Sequence, residues 1–420
     1  MNEKRPIITL EEATELQKTY PTPFYVYDEK GIAENADRFN AAFSTCKGFK
    51  EYFAVKATPN PAVLKLLKAH GCGVDCSSYT ELLMAEKLGF KGDEIMFSSN
   101  ETADKEYVKA AELGAIINLD DITHIDTLKR VLGVLPERLC MRYNPGGDFE
   151  IDGQIMGCPR DAKYGMTRAQ LYEAAERLKS LGVKSFGLHA FLASNTQGNE
   201  YYPELCRLLM ETAHDIEKKC GAEFEFVNLS GGVGVAYRPE EDSCDITFIG
   251  KRVGEIVADF EKRTGKRYKI FTESGRFMLA PYGQLVTKVI HFKHTYKEYA
   301  GVDACAANLM RPALYGAYHH MTVLGKENSP ADTVYDVVGS LCENNDKFAV
   351  DRKLPKLDYG DIIVMHDAGA HGFSMGYNYN GKLRSAEIMK KANGSFELIR
   401  RAETPDDYFA TFKGIYKEFD

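Results

Sequence analysis

The chain has no tryptophan, and nowhere in its 420 residues does an uninterrupted apolar run reach the roughly 18 residues that a membrane-spanning helix needs. The opening stretch MNEKRPIITLEEA also lacks the apolar segment of a secretory signal, so a cytosolic protein without a membrane partner is expected. Charge of one sign is not concentrated either. The net charge of −8 is spread without long runs, which removes the basic footprint of a nucleic-acid binder and the polybasic patch of a membrane-surface protein. The ten cysteines are scattered, and no second pair at zinc-finger spacing accompanies Cys72 and Cys76. Reduced thiols, most of them core filler, are therefore expected, with no structural zinc. Low-complexity segments and an obvious linker are missing as well. What remains open is a protein that handles a small molecule.

What is present is a repeated unit. Short β-rich runs at 51–55, 73–75, 94–97, 115–119, 138–142, 185–191, 225–229 and 268–272 alternate with amphipathic stretches such as PAVLKLLKAH and AQLYEAAERLKSLG. Glycine usually closes the helical stretch, as C-cap chemistry favours. Eight such units in about 250 residues predict a closed (β/α)8 barrel, with a doubly wound open sheet as the alternative. From about Gly283 the pattern becomes β-rich, in GQLVTKVIHFKHTY, TVYDVVGSLC and DIIVMHDAG. The predicted organisation is a barrel over 30–282 and a second β-domain, barrel or sandwich, built from 283–420 and from 1–29, to which FYVYD at 24–28 contributes a strand.

In a (β/α)8 barrel the reactive groups stand at the carboxyl ends of the strands. There the sequence offers Lys56, Asp75, Ser98 to Asn100, Asp120, Arg142 with Asn144, His189 with Ser194, Ser230 to Gly234 and Glu273 to Arg276. Strand ends lead into solvated loops in any case, so each residue alone has a bland explanation. The set is more specific. Lys56, in EYFAVKATPNP, follows an apolar strand, where poor solvation would lower its amine pKa and suit it to a Schiff base with an aldehyde such as pyridoxal phosphate. The glycines of SGGVG after the seventh strand and the turn of ESGR after the eighth let backbone N–H groups approach an anion, in the place where barrels of this kind hold phosphate.

Beyond YFAVKAT, the segments DCSSYTEL (75–82), LCMRYNP (139–145), AKYG (162–165), SGGVG (230–234), ESGR (273–276), RPALYGAYH (311–319), GSLCENND (339–346), DYGDIIVMHDAGAHG (358–372) and NYN (378–380) fall in order along the chain. Together they resemble the fold-type III pyridoxal phosphate decarboxylases, in particular the branch that acts on diaminopimelate. That resemblance implies an alanine racemase-like barrel and pyridoxal 5'-phosphate as cofactor, bound covalently by Lys56. Gly231, Gly232, Gly275 and Arg276, with the Ser194 hydroxyl, would hold the phosphate. Glu273 would face the pyridine nitrogen and favour its protonated form. Arg142 would contact the ring hydroxyl, and Asp75 and Glu81 would tune Lys56.

By the same resemblance Arg311, Tyr315 and Arg276 would grip the far carboxylate of the substrate, a task suited to the forked donors of guanidinium groups. Glu343 would bind its distal ammonium, Cys342 would return a proton to the reacting carbon, and Tyr379 would close over the site. Cys342 and Glu343 would reach across the interface of a homodimer. The implied reaction is decarboxylation of meso-2,6-diaminopimelate at its D-centre to L-lysine. Its rivals are a decarboxylase of D-lysine, D-ornithine, ornithine or arginine, and a non-catalytic pyridoxal phosphate-binding protein. Three departures from the family pattern stand out. HAFLASN places Phe191 where relatives stack a histidine on the cofactor, VDACAANLMRP replaces VDAGMNDLIRP, and GSLCE lacks a proline. His319 and His320 read as surface or interface residues.

Overall fold

A computed structural model of the chain describes residues 4–148 and 158–419. The first strand, β1 (Phe24–Asp28), precedes eight that alternate with helices: β2 (Lys50–Ala54), β3 (Gly73–Cys76), β4 (Ile95–Ser98), β5 (Ile116–Leu119), β6 (Arg138–Arg142), β7 (Ser185–His189), β8 (Phe224–Asn228) and β9 (Lys269–Thr272). All eight pair in parallel, and β2 pairs with β9, so the sheet closes into the expected barrel. Tyr52, Met96, Ile116, Cys140, Phe226 and Phe271 form a buried layer in it. Gly187 permits that packing, since a Cβ there would stand only 2.0 Å from the Phe226 ring.

Local chemistry starts the helices where the barrel needs them. After Lys56, Asn60 accepts the Ala62 N–H at 3.0 Å and Pro61 takes the first helical position, so the chain turns into Pro61–Ala69 within a few residues of β2. Asp245 caps Ile246–Thr264 through the N–H groups of Thr247 and Phe248, and Gly265, at φ +71°, ends that helix.

Eight further strands follow: β10 (Gly283–His294), β11 (Glu298–Val302), β12 (Met321–Val323), β13 (Thr333–Val338), β14 (Lys347–Leu354), β15 (Ile362–Met365), β16 (Ala386–Lys390) and β17 (Phe396–Arg400). They form one mixed sheet in the order β14-β13-β11-β10-β1-β16-β17, with β15 joining β10 to β12. The segment FYVYD lies inside this sheet as β1, antiparallel to β10 and parallel to β16. Its residues Phe24 and Val26 pack with Val286, Val364 and Ile388 and with Ala13 and Leu16 of the helix Leu10–Gln17.

The chain divides into two compact units. One holds the residues through Ile32, Ala236–Asp242 and Leu279 onward; the other holds Ala33–Val235 and Ser243–Met278. Residues 236–242 thus group with the sheet, although they lie between β8 and β9 in the chain. No helix among the described residues is long and apolar enough to cross a membrane.

Candidate active site

Lys56 lies in a single 3-10 turn, Val55–Ala57, at the end of β2. Its Nζ is 3.0 Å from Oδ2 of Asp75, a fully buried residue of the neighbouring strand β3. The expected depression of the amine is corrected by this arrangement. Desolvation works against the charge, but the carboxylates of Asp75, Glu273 and Glu81 outweigh it and raise the lysine above its ordinary value. The side chain also keeps 49% of its exposure, and water there moderates both influences. Burial and the nearby Glu273 push Asp75 up to about 8, against the pull of Lys56. Its second oxygen, Oδ1, has no partner among the described residues.

Glu273, just past β9, is the electrostatic centre of the site. It accepts hydrogen bonds from Asn228 Nδ2 at 2.7 Å, Ser230 Oγ at 3.0 Å and Ser98 Oγ at 3.4 Å, and His189 Nε2 lies at 3.1 Å. Burial opposes its charge, yet His189, Lys56 and Asn228 hold it down at about 2, so the carboxylate is ionised. His189 is pushed below its usual value, first by burial and then by Arg142, against the pull of Glu273. A neutral imidazole donating from Nε2 agrees with that direction and leaves Nδ1, which has no partner among the described residues, as an acceptor. His189 thus meets Glu273 from the end of β7.

Arg142 ends β6 and donates to Asp120 at 2.9 Å in a buried pair. Its guanidinium lies 4.3 Å from the Tyr164 ring centre and 5.7 Å from that of Phe191, and the two rings meet edge to face at 6.2 Å. Arg142, Tyr164 and Phe191 thus pack together at the carboxyl ends of β6 and β7.

The loops after β7, β8 and β9 lock together. Thr196 N–H donates to Gly232 O at 2.9 Å, Gly234 N–H returns a bond to Thr196 O at 3.1 Å, and Arg276 Nη2 reaches Ser194 Oγ at 3.4 Å. Gly232 has φ +126°, and a Cβ on it would stand 2.4 Å from the Tyr201 ring. At Gly275 a Cβ would come within 2.7 Å of Ala57 Cβ, and at Gly231 within 2.9 Å of Glu273 O. These positions are closed to any side chain, which suits loops that offer backbone N–H groups to a phosphate.

Arg311, Tyr315, Cys342, Glu343 and Tyr379 all belong to the sheet unit. Arg311 is buried, its Nη1 lies 3.0 Å from His319 Nε2, and its guanidinium stacks 4.6 Å from the Tyr237 ring. His319 is fully buried within this chain, which corrects its reading as a surface or interface residue; its Nδ1 donates to His366 O at 2.8 Å. Cys342, Glu343, Tyr315 and Tyr379 are exposed. Cys342 N–H donates to Asn380 Oδ1 at 2.7 Å, so the CE and NYN segments meet. Buried Asp346 braces that loop by accepting Leu341 N–H at 2.8 Å and Ala306 N–H at 2.6 Å.

Several residues of the barrel unit escaped sequence reasoning. Glu51, Tyr201, Tyr202 and Asn228 all touch the loops just described, yet they sit inside strands or a helix where nothing in their spacing sets them apart.

A (β/α)8 barrel whose strand ends combine a lysine, an ionised carboxylate and a glycine-lined anion loop has the parts of a pyridoxal phosphate enzyme. The comparisons agree. The family model described as "Pyridoxal-dependent decarboxylase, pyridoxal binding domain" matches residues 29–280, and the chain belongs to that family. Protein TabA of Pseudomonas amygdali pv. tabaci is 40% identical over 94% of this chain and 92% of its own length. Diaminopimelate decarboxylase of Methanothermobacter thermautotrophicus is 34% identical over 94% and 92%. Among solved structures, diaminopimelate decarboxylase of M. jannaschii in complex with L-lysine superposes with a TM-score of 0.88, at 28% identity over 97% of this chain and 96% of that one. The cofactor of the family is pyridoxal 5'-phosphate, and the glycine loops, Glu273 and the unpartnered Asp75 oxygen fit it.

Proposed function

We propose that this protein removes carbon dioxide from the D-centre of meso-2,6-diaminopimelate and releases L-lysine. The observation that carries the reading is Arg311, a buried guanidinium held by His319 and Tyr237 in a chain similar over nearly its whole length to diaminopimelate decarboxylases. A substrate ending in a second carboxylate has use for such a group, whereas ornithine and lysine end in a cation that it would repel.

The residues divide the work as follows. Lys56 holds the cofactor, and Asp75, whose Oδ2 accepts a hydrogen bond from Nζ at 3.0 Å, orients the amine. Gly231, Gly232, Gly275, Arg276 and Ser194 hold the phosphate, while Arg142 and Phe191 bound the ring on one side. Glu273 keeps a proton on the pyridine nitrogen, because its own charge is secured by four polar neighbours. When bound, the cofactor supplies an aldehyde for the substrate amine and a ring that takes up the electron pair left by the departing carboxylate. Arg311 and Tyr315 would grip the far carboxylate of the substrate and Tyr379 would close over it, which would fix the substrate in one orientation. The second domain thus supplies substrate-binding and dimer-interface residues. Cys342 and Glu343, exposed on this chain, act in the partner's site of a homodimer, Glu343 on the distal ammonium and Cys342 as proton donor.

A carbon dioxide release assay with meso-diaminopimelate, its LL and DD isomers, D-lysine, ornithine and arginine tests the assignment. Turnover of the meso isomer at least about a hundredfold above every monocarboxylic substrate is expected. Preference for a monocarboxylic diamino acid, or no release from any of them, overturns it.

A further inference from the structure

Outside the residues assigned to the cofactor, a chain of buried polar groups ties together the two loops that carry the glycines. Glu51 on β2 is fully buried; its Oε1 accepts the Ser274 N–H at 2.8 Å, and its Oε2 pairs with the Thr272 hydroxyl. Ser274 Oγ lies 3.0 Å from the Tyr202 hydroxyl, and that hydroxyl donates to Ser230 O at 2.7 Å. Ser230 O also accepts Glu273 N–H at 2.8 Å. The path thus runs from β2 to the loop after β9, through the helix Tyr201–Cys220, to the loop after β8, and Thr272, Ser274 and Tyr202 are all buried along it.

A carboxyl group is costly to enclose, and a hydrophobic side chain at position 51 would fill the same space without that cost. Burial pushes Glu51 well above the usual carboxylate range, which favours the neutral acid, able to donate from one oxygen and accept at the other. Such a group serves two partners at once, here the Thr272 hydroxyl and the Ser274 amide.

We infer that Glu51 and Tyr202 are positioning residues for the cofactor's phosphate, setting the spacing between SGGVG and ESGR without touching the phosphate themselves. The inference rests on the proposed phosphate site. A loop displaced by a fraction of an ångström would lose amide contacts to the phosphate and leave the reaction of Lys56 with an aldehyde untouched.

Spectrophotometric titration of apoprotein with pyridoxal 5'-phosphate and with pyridoxal, which lacks the phosphate, separates these effects. Glu51→Leu should weaken pyridoxal phosphate by about thirtyfold, and Tyr202→Phe by about fivefold, with pyridoxal affinity changed less than about threefold. Glu51→Gln, able to accept from Ser274 and donate to Thr272, should stay within about threefold of wild type for both ligands. Should Glu51→Leu fail to fold, Tyr202→Phe carries the same test with a single hydroxyl removed. Equal weakening of both ligands, or a Gln variant as impaired as Leu, overturns the inference. Gly232→Ala serves as the control. If it lowers phosphate-dependent affinity and the Glu51 and Tyr202 variants do not, the inference alone fails; if none of them does, the phosphate site itself is misplaced and both fall.

Discussion

His366 shows how much one side chain can depend on the direction of its neighbours' hydrogen bonds. Gln284 Oε1 accepts Ile7 N–H, so its amide nitrogen faces His366 Nδ1 at 3.1 Å, and His366 Nε2 lies 2.8 Å from Thr322 Oγ1. A proton on Nδ1 would meet the Gln284 N–H, which leaves the neutral ring as the form that fits. Burial, with the nearby His320, Lys4 and His319, pushes this histidine down to about 3 from the 6.5 of a free one. The fold thus keeps it neutral, and below pH 6.5 the unfolded chain takes up a proton that the folded chain refuses. Stability is complete above that pH and is lost as pH falls toward 3. At pH 5 the loss from His366 alone should be about 2 kcal/mol, read as a shift in the urea midpoint between pH 7 and pH 5, and His366→Asn should remove that share of the shift. At Cys342 the expectation is kinetic. Cys342→Ala should lower kcat by about a hundredfold or more with little change in KM, as for a proton donor that acts in the transition state; equal effects on both constants would assign it to binding.

The loops at the carboxyl ends of the strands are where elements acquire function. SGGVG is shaped by what surrounds it, with Ser230 at φ +54° and Gly232 at φ +126°. Gly232→Ala should cost about 2 kcal/mol or more, because an L-residue is strained at that φ and its Cβ would meet Tyr201. Affinity for pyridoxal 5'-phosphate should fall at least about tenfold, and an unchanged dissociation constant would remove this loop from the phosphate site. Much of this level was legible beforehand. The eight strands could be placed because apolar runs bounded by turn residues are local signals, and the glycines stood out because few other residues tolerate such backbone. Glu51 and Tyr202 were not legible, since a carboxylate in a strand and a tyrosine at a helix start look ordinary until their partners, 223 and 28 residues away, are known. Lys56 was placed correctly and its electrostatics misread, because the carboxylate beside it comes from the next strand.

At the scale of the whole molecule, the proposal that Cys342 and Glu343 act in a partner's site makes a mixing experiment decisive. Lys56→Ala and Cys342→Ala homodimers should each be nearly inactive. Co-refolded in equal amounts, they should recover up to about one quarter of wild-type turnover, because half of the dimers are mixed and each of those has one intact site of two. No recovery, under conditions where exchange of subunits is shown by mass, would place all the catalytic groups within one chain.

The order of strands and helices, the barrel they close, the place of Lys56 at a strand end and the glycine loops followed from the sequence itself, because periodicity, capping and turn chemistry act between residues close in the chain. Only the tertiary structure decided the charge on Lys56, the neutral state of His189, the burial of His319 and the Glu51–Tyr202 brace. Each of these depends on a field or a hydrogen bond from a residue distant in sequence, and such interactions exist only once folding has brought the partners together and removed the water between them.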